Sequence, residues 1–291
     1  MTANGALLTV DDVYAGFGNT TVLHGLSYSV GSGEIAGIFG LNGAGKSVSM
    51  KVLAGIVPAR AGRITFAGQD ITTLAAESRV RLGMAHVPQG RNVFAGLTVE
   101  QNLRLGAYVL RRRDRSRYAS TLDGVYDRFP VLAERRSQIA GTMSGGQQAS
   151  LAVARALMAE PTLILVDEPS AGLAPKVVEE LFATLREVAA SGVTMVLVEQ
   201  NVSFGLRLAE TAHILQVGRI VYSGAVSDLD QAQVAAYLGV GRLLRAGVAT
   251  SLTGRKRVGK TPATKKPATK KTTTKKTAIA RKRAAPRRAQ S

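Results

Sequence analysis

The chain contains no cysteine among its 291 residues, so it can build neither a disulfide framework nor a thiolate metal site. That usage fits a cytosolic compartment. Its three histidines, His24, His86 and His213, are scattered and form no HExxH-like spacing, which argues against a histidine-built metal centre. Nowhere do roughly 18 to 20 apolar residues run uninterrupted, the length a membrane-spanning helix needs. A protein of this kind that works at a membrane does so as a peripheral subunit. Met1 to Thr9 has neither a positive n-region nor a long apolar core, so no signal peptide is expected. Acidic residues are missing from one region in particular: 242–291 holds 17 of the 38 Lys and Arg and no Asp or Glu. The remaining 21 basic residues face 20 acidic ones over 1–241, so the net charge of +18 belongs to the C-terminal stretch and the body is nearly neutral.

The hydrophobic content of 45% is enough for a substantial core in one or two domains. The most informative stretch is Gly40-Leu41-Asn42-Gly43-Ala44-Gly45-Lys46-Ser47. Its glycines let the backbone wrap close to a polyphosphate with successive N–H groups aimed at the oxygens. Lys46 then reaches the β- and γ-phosphates, and the Ser47 hydroxyl holds a Mg²⁺. The context fits. Glu34 to Phe39 is a short apolar run suited to a buried strand, and Ser47 to Leu53 suits a helix closed by Gly55 in the left-handed conformation. Strand, loop and helix in this order also point the positive end of the helix dipole at the phosphates.

Residues 7–39 read as a β region: Leu7 to Val13, a Gly16-Phe17-Gly18-Asn19 turn, Thr21 to Val30, then the strand before the loop. Another strand is expected at Arg63 to Phe66, ended by Ala67-Gly68. From Val99 to about Arg117 the pattern is helical, and the positive cluster Arg111 to Arg117 reads as a solvated helix end rather than an anion site. Ser144 followed by Gln147 fits a capping box, with Gly145 and Gly146 in the first turn of a helix running through Leu157. Such an end exposes free N–H groups and is a second potential anion site, although a capped helix start explains it equally well. Leu163 to Val166 is a buried-strand run that ends in Asp167 and Glu168. Acids at that tip matter because ligands of α/β sheets gather at the carboxyl ends of strands. Asp167 is placed to orient Mg²⁺ through its water shell and Glu168 to take a proton from an attacking water; the alternative is that both cap the turn Pro169 forces. Thr194 to Val198 is a further buried strand, His213 to Val217 and Ile220 to Tyr222 a hairpin around Gly218-Arg219, and Asp230 to Leu238 a closing helix. Beyond Gly241, three copies of a five-residue unit (Pro262 to Lys266, Pro267 to Lys271, Thr272 to Lys276) and further Arg and Lys read as a disordered tail.

Taken together, the phosphate loop, Gln89 after His86-Val87-Pro88, the Ser144-Gly145-Gly146-Gln147-Gln148 signature and the Asp167-Glu168 strand end resemble the ATP-binding-cassette family in order and spacing, over nearly all of 7–240. The resemblance implies an α/β fold: a P-loop cassette over 1–240 with an antiparallel β subdomain and a helical signature subdomain at about 90–160, followed by the basic tail over 241–291. It implies that two cassettes, identical or different, pair head to tail around two ATP molecules, each site joining the phosphate loop of one to the signature of the other. The nucleotide would be held by Gly40, Asn42, Gly43, Ala44, Gly45, Lys46, Ser47 and Val48, by Phe17 stacking on adenine, and by Ser144, Gly145, Gly146 and Gln147 from the partner. Mg²⁺ would be held by Ser47, Gln89 and Asp167. Glu168, Gln89 and Gln200 would act in hydrolysis, and Ala171-Gly172-Leu173 would cross the dimer interface.

Three positions depart from the family pattern. Gln200 stands where a histidine often contacts the γ-phosphate, Gln147 where the signature is usually acidic, and Val48 where a hydroxyl residue is common. The stretches Val87 to Phe94, Leu97 to Leu103, Thr142 to Gly146, Pro169 to Pro175 and Val198 to Asn201 resemble the cytoplasmic ATPase subunits of branched-chain amino acid importers, a subgroup that also uses Glu-Gln at 199–200. ATPases of urea importers share most of them. The partners implied are transmembrane permeases and, indirectly, a substrate-binding protein, at the cytoplasmic face of the plasma (inner) membrane. A cassette acting on nucleic acid is the reading from another class, invited by the tail, which suits nucleic acid or an anionic lipid surface.

Overall fold

The computed structural model describes residues 5–90 and 92–238. Arg91 of the Val87 to Phe94 stretch and the basic tail lie outside the described residues. Two sheets organise the chain. In the first, β1 (Ala6–Phe17), β2 (Thr20–Gly31), β4 (Ala59–Phe66) and β5 (Gln69–Asp70) pair antiparallel in the order β2-β1-β4-β5. The β1–β2 turn is only Gly18-Asn19, and Gly16 and Phe17 extend β1 rather than turning. The second sheet comprises β3 (Ile35–Phe39), β6 (Met84–Val87), β7 (Leu163–Asp167), β8 (Thr194–Val198), β9 (Thr211–Gln216) and β10 (Arg219–Ala225), in the order β10-β9-β3-β8-β7-β6. All its pairings are parallel except the β9–β10 hairpin.

Every residue of β3, β7 and β8 is buried, as continuous apolar strands are when both faces of a sheet are covered. The period of two divides them cleanly. Leu163, Leu165, Val196 and Val198 pack with the antiparallel sheet and with α1 (Lys46–Leu53). Ile164, Val166, Met195 and Leu197 pack on the other side, with α7 (Gly145–Leu157) and α8 (Pro175–Ala190).

The helix α1 ends as its sequence predicts. Gly55 takes φ +73°, its N–H donates to Val52 O at 3.1 Å, and Ile56 N donates to Lys51 O at 2.9 Å, a Schellman closure. The same helix end also accepts from α2 (Ala76–Arg81): the buried Arg79 guanidinium donates to Leu53 O and, as a second donor, to Val52 O, both at 2.7 Å. A cation at this negative helix end is electrostatically favourable as well.

The continuous helix expected from Val99 to Arg117 is instead α3 (Val99–Gly106), α4 (Tyr108–Arg113) and the start of α5 (Arg115–Arg128). Gly106 lies so close to α7 that a Cβ there would stand 2.1 Å from Arg155 O. Asp114 then ends α4 in an extended conformation and accepts from Ser116 N and Arg117 N, so it caps a new helix rather than continuing the old one. Arg117, from the positive cluster, pairs with Glu160 at 2.6 Å. The short α6 (Pro130–Glu134), α9 (Val202–Leu208) and α10 (Gln231–Leu238) complete the described helices.

The β9–β10 turn carries a local strain. Val217 adopts φ +45° and is 82% exposed, so a β-branched residue sits in the left-handed region with no packing to compensate. Replacing Val217→Asn, a residue that tolerates this region, is expected to stabilise the fold by about 1 kcal/mol. Urea unfolding monitored by circular dichroism would show it as a higher midpoint at unchanged slope.

Candidate functional site

The loop between β3 and α1 is held from three sides. Gly43 and Gly45 take φ +80° and +109°, a left-handed path that favours glycine. At Gly40 a Cβ would stand 2.3 Å from Leu215 O of β9, so the chain can leave the sheet here only without a side chain. From the neighbouring hairpin, Gly218 N donates to Ala44 O and Gly218 O accepts from His24 N, both at 2.9 Å, joining the loop to β2. Lys46 is buried and folds back over the loop, its ammonium donating to Gly40 O at 2.9 Å and Leu41 O at 3.2 Å. Burial lowers its pKa, and the nearby carboxylates of Glu168, Asp167 and Glu199 oppose that shift.

Parallel register brings the other groups to this loop. Val87 pairs with Val166, Asp167 with Val198, and Val198 with Ile38. Two residues beyond the Val87–Val166 pair and one beyond Asp167–Val198, this register sets Gln89, Glu168 and Glu199 abreast, and Gln200 follows opposite Gly40. Side-chain bonds follow. Gln89 Nε2 donates to Glu168 Oε2 at 2.7 Å, and Ser47 Oγ donates to Asp167 Oδ1 at 3.4 Å. Glu168 itself sits at φ +47°, unusual for a side-chain-bearing residue and a sign of local constraint, with its N–H donating to Val198 O at 2.8 Å. A cleft of about 370 Å³ results, lined by Val22, Asn42, Gly43, Gly45, Lys46, Ser47, Val48, Gln89, Glu168 and Gln200.

Asp167 is 3% exposed, and its carboxyl is pushed up to about 6, first by burial and then by the charge of Glu168. The hydroxyl of Ser47 and the charges of Lys51 and Lys46 only partly offset this. A buried carboxylate beside a hydroxyl is a hard-oxygen donor set short of positive charge, which fits Mg²⁺. Among the described residues no group of three or more His, Cys, Asp or Glu is placed to hold a metal ion by itself, so phosphate oxygens and water would complete the shell of such an ion.

Not every candidate lines the cleft. Phe17 stands at the end of β1, 51% exposed, and the side wall of the cleft is Val22 of β2. Ser144, Gly145, Gly146 and Gln147 begin α7 away from it. There Ser144 N donates to Gln147 Oε1 at 3.0 Å and Gln147 N to Ser144 Oγ at 3.4 Å, a complete capping box, so the amide at 147 serves as well as an acid would. Gly146 permits close packing, since a Cβ would lie 2.3 Å from Val177 Cγ1 of α8. Sequence reasoning missed Val22, which carries no signal beyond its strand pattern. It also missed Glu199, where an acid directly after an apolar strand was the available signal: this carboxylate is fully buried and accepts from Ser170 N at 3.0 Å, Ser170 Oγ at 2.8 Å and Asn201 N at 3.2 Å.

Comparison with known proteins finds relatives in sequence and in fold. A family profile described as ABC transporter matches residues 23–171. The chain is 43% identical over 215 residues to the high-affinity branched-chain amino acid transport ATP-binding protein BraG of Pseudomonas aeruginosa, covering 74% of this chain and 91% of BraG. It is 35% identical over 216 residues to the probable branched-chain amino acid transport ATP-binding protein LivF of Archaeoglobus fulgidus, covering 74% and 90%. Among solved structures, the ADP conformation of MJ1267, an ATP-binding cassette of an ABC transporter, superimposes with a TM-score of 0.70 at 25% identity, covering 83% of this chain and 98% of that one.

The raised Asp167 carboxyl has a consequence for stability. The folded state holds this proton more tightly than the unfolded chain, whose ordinary value is 3.8. Ionisation therefore costs folding free energy increasingly as pH rises from about 4 to 6, and the cost is constant above that. Asp167→Asn keeps an acceptor for Ser47 and removes the charge, so the nucleotide-free protein is expected to gain about 2 kcal/mol at pH 7.5, shrinking toward pH 4. Urea unfolding at the two pH values measures it; an equal gain at both would assign the effect to packing rather than charge.

Proposed function

We infer that this chain, which belongs to the ABC transporter family and is one of its ATP-binding, ATP-hydrolysing subunits, powers the import of branched-chain amino acids through separate membrane permeases. The observation that carries the chemistry is the Gln89–Glu168 hydrogen bond in the wall of the phosphate-loop cleft. In our reading the backbone N–H groups of 42–48 cradle the phosphates, and Lys46 exchanges its carbonyl partners for β- and γ-phosphate oxygens. The buried ammonium thereby gains anionic partners in place of neutral ones. Glu168 takes the proton of a water that attacks the γ-phosphorus in line, Gln89 orients that water, and Gln200 donates a hydrogen bond to the γ-phosphate. Ser47, Asp167 and Gln89 would hold a Mg²⁺, whose charge neutralises the phosphate oxygens. Phe17 stacks on the adenine.

The signature residues Ser144, Gly145, Gly146 and Gln147 serve a second cassette's nucleotide, because in their own chain they stand away from the cleft. The exposed N-terminus of α7 supports this, as a positive helix end open to an anion. Docking to permeases at the cytoplasmic face of the inner membrane accords with the exposed apolar side chains of Phe94, Leu105 and Tyr108 beside α7. Among the described residues no helix is long and apolar enough to cross a membrane.

The similarity to BraG and LivF favours branched-chain amino acids as the solute, and urea is the alternative. A strain lacking this chain is expected to lose uptake of radiolabelled leucine, isoleucine and valine while keeping urea uptake; the reverse pattern would transfer the assignment to urea. For the chemistry, Glu168→Gln is expected to retain ATP binding and to lower phosphate release by about a hundredfold or more, in the range for removing a general base. Normal turnover in that variant would exclude Glu168 as the base.

A further inference from the structure

The loop that carries Glu168 turns sharply. Ala171 N donates to Glu168 O at 3.2 Å, so 168–171 is a tight turn with Ser170 at its corner. That corner is not held by its own strand. Ser170 donates both its N–H and its O–H to the carboxylate of Glu199, on the loop after the neighbouring strand, and Asn201 N donates to the same group. Asn201 in turn caps α9 by accepting from Phe204 N, so the Glu199 end of this connection is anchored to a helix.

We propose that Glu199 is a positioning residue: its buried carboxylate clasps Ser170 and so fixes the turn that aims Glu168, while also setting the backbone that presents Gln200. The chemistry of the clasp requires an anion or at least two acceptor oxygens. Oε1 faces one donor and Oε2 faces two; of the three only the Ser170 hydroxyl can also accept, since a backbone N–H only donates. Glutamine has the same size but offers one acceptor and two donors. Whichever way its amide turns, at least one backbone N–H meets an N–H, so the clasp opens although the volume is kept. The position is also confined. A Cβ at Gly205 would lie 3.1 Å from Glu199 Cβ, which leaves no space for an alternative placement toward α9. Neither Ser170 nor Glu199 lines the cleft, so loss of the clasp shifts the aim of Glu168 without removing a phosphate ligand.

The assignment rests on Glu168 being the general base, and the test separates the two. Steady-state ATPase kinetics are compared for Glu199→Gln, Ser170→Ala, the double variant and Glu168→Gln, each as the full chain with its cassette partner. Glu199→Gln is expected to lower kcat at least tenfold with KM for ATP within twofold, the pattern of a misaimed group rather than a lost binding contact. Ser170→Ala is expected to lower kcat by about threefold to tenfold, and the double variant to match Glu199→Gln alone, because both remove one connection. Glu199→Gln at wild-type kcat, or losses that multiply in the double variant, would overturn the clasp. If Glu199→Gln does not fold, Ser170→Ala decides: a reduced kcat at unchanged KM supports the clasp and an unchanged kcat overturns it. Normal turnover in Glu168→Gln would instead overturn the assignment of the base, whatever the clasp variants do.

Discussion

The register of four parallel strands is the constraint on which the site depends. β3, β8, β7 and β6 all stop at nearly the same level, and each hands on to a polar group within two residues: Gly40, Glu199 and Gln200, Asp167 and Glu168, and Gln89. A slip of one residue would turn every side chain of a strand to the opposite face. Because these strands bury both faces in separate cores, a slip would exchange Leu165 with Ile164 and Val166 between two differently shaped packings, so the packing that fixes the core also fixes this edge. Packing and chemistry here share one cause.

The edge so built concentrates negative charge. Asp167 and Glu199 are both pushed up by burial, and Glu168 lies beside each of them. Lys51 and Lys46 compensate Asp167 only in part, and the burial of Lys46 opposes its own ionisation. The protein accepts this cost in its nucleotide-free form because the carboxylates are useful only if they stay close and poorly hydrated. At Glu199 three hydrogen-bond donors offset the burial, whereas Asp167 has one long bond from Ser47. The difference separates a carboxylate with a structural task, satisfied within the chain, from one left in need of a cation.

Much of this was legible in the sequence, for local reasons. Gly43, Gly45 and Lys46 announce the loop because a left-handed path and a phosphate cradle restrict residue type at single positions. Ser144 and Gln147 announce the capped helix because their bonds span three residues. The strand-end acids were visible because apolar runs rarely end in two carboxylates. What escaped depends on tertiary contact. The break of the expected long helix follows from the approach of Gly106 to Arg155, together with the cap at Asp114, and Val22 becomes a cleft wall only when β2 folds across the loop. Glu199 looked like one residue of a motif, and its three donors come from chain 29 residues away as well as from its neighbour.

The helix α7 ties together the segment after Gln89 and the turn that carries Ser144. Its first turn carries Ser144 to Gln147. That turn is locked to the start of α8 by the contact of Gly146 with Val177, just after the loop that follows Glu168. Further along, Arg155 of the same helix donates to Asn92 O at 2.8 Å and lies 5.2 Å from the Phe94 ring. The buried Asn102 then accepts from Phe94 N at 2.8 Å and donates to Phe94 O at 3.1 Å, holding the segment that follows Gln89 against α3. Phe94 is thereby linked to the signature helix through Arg155, and Asn92 Nδ2 donates to Gln89 O at 2.7 Å. The two segments are thus tied to one element, because a packed helix behaves as a unit rather than deforming.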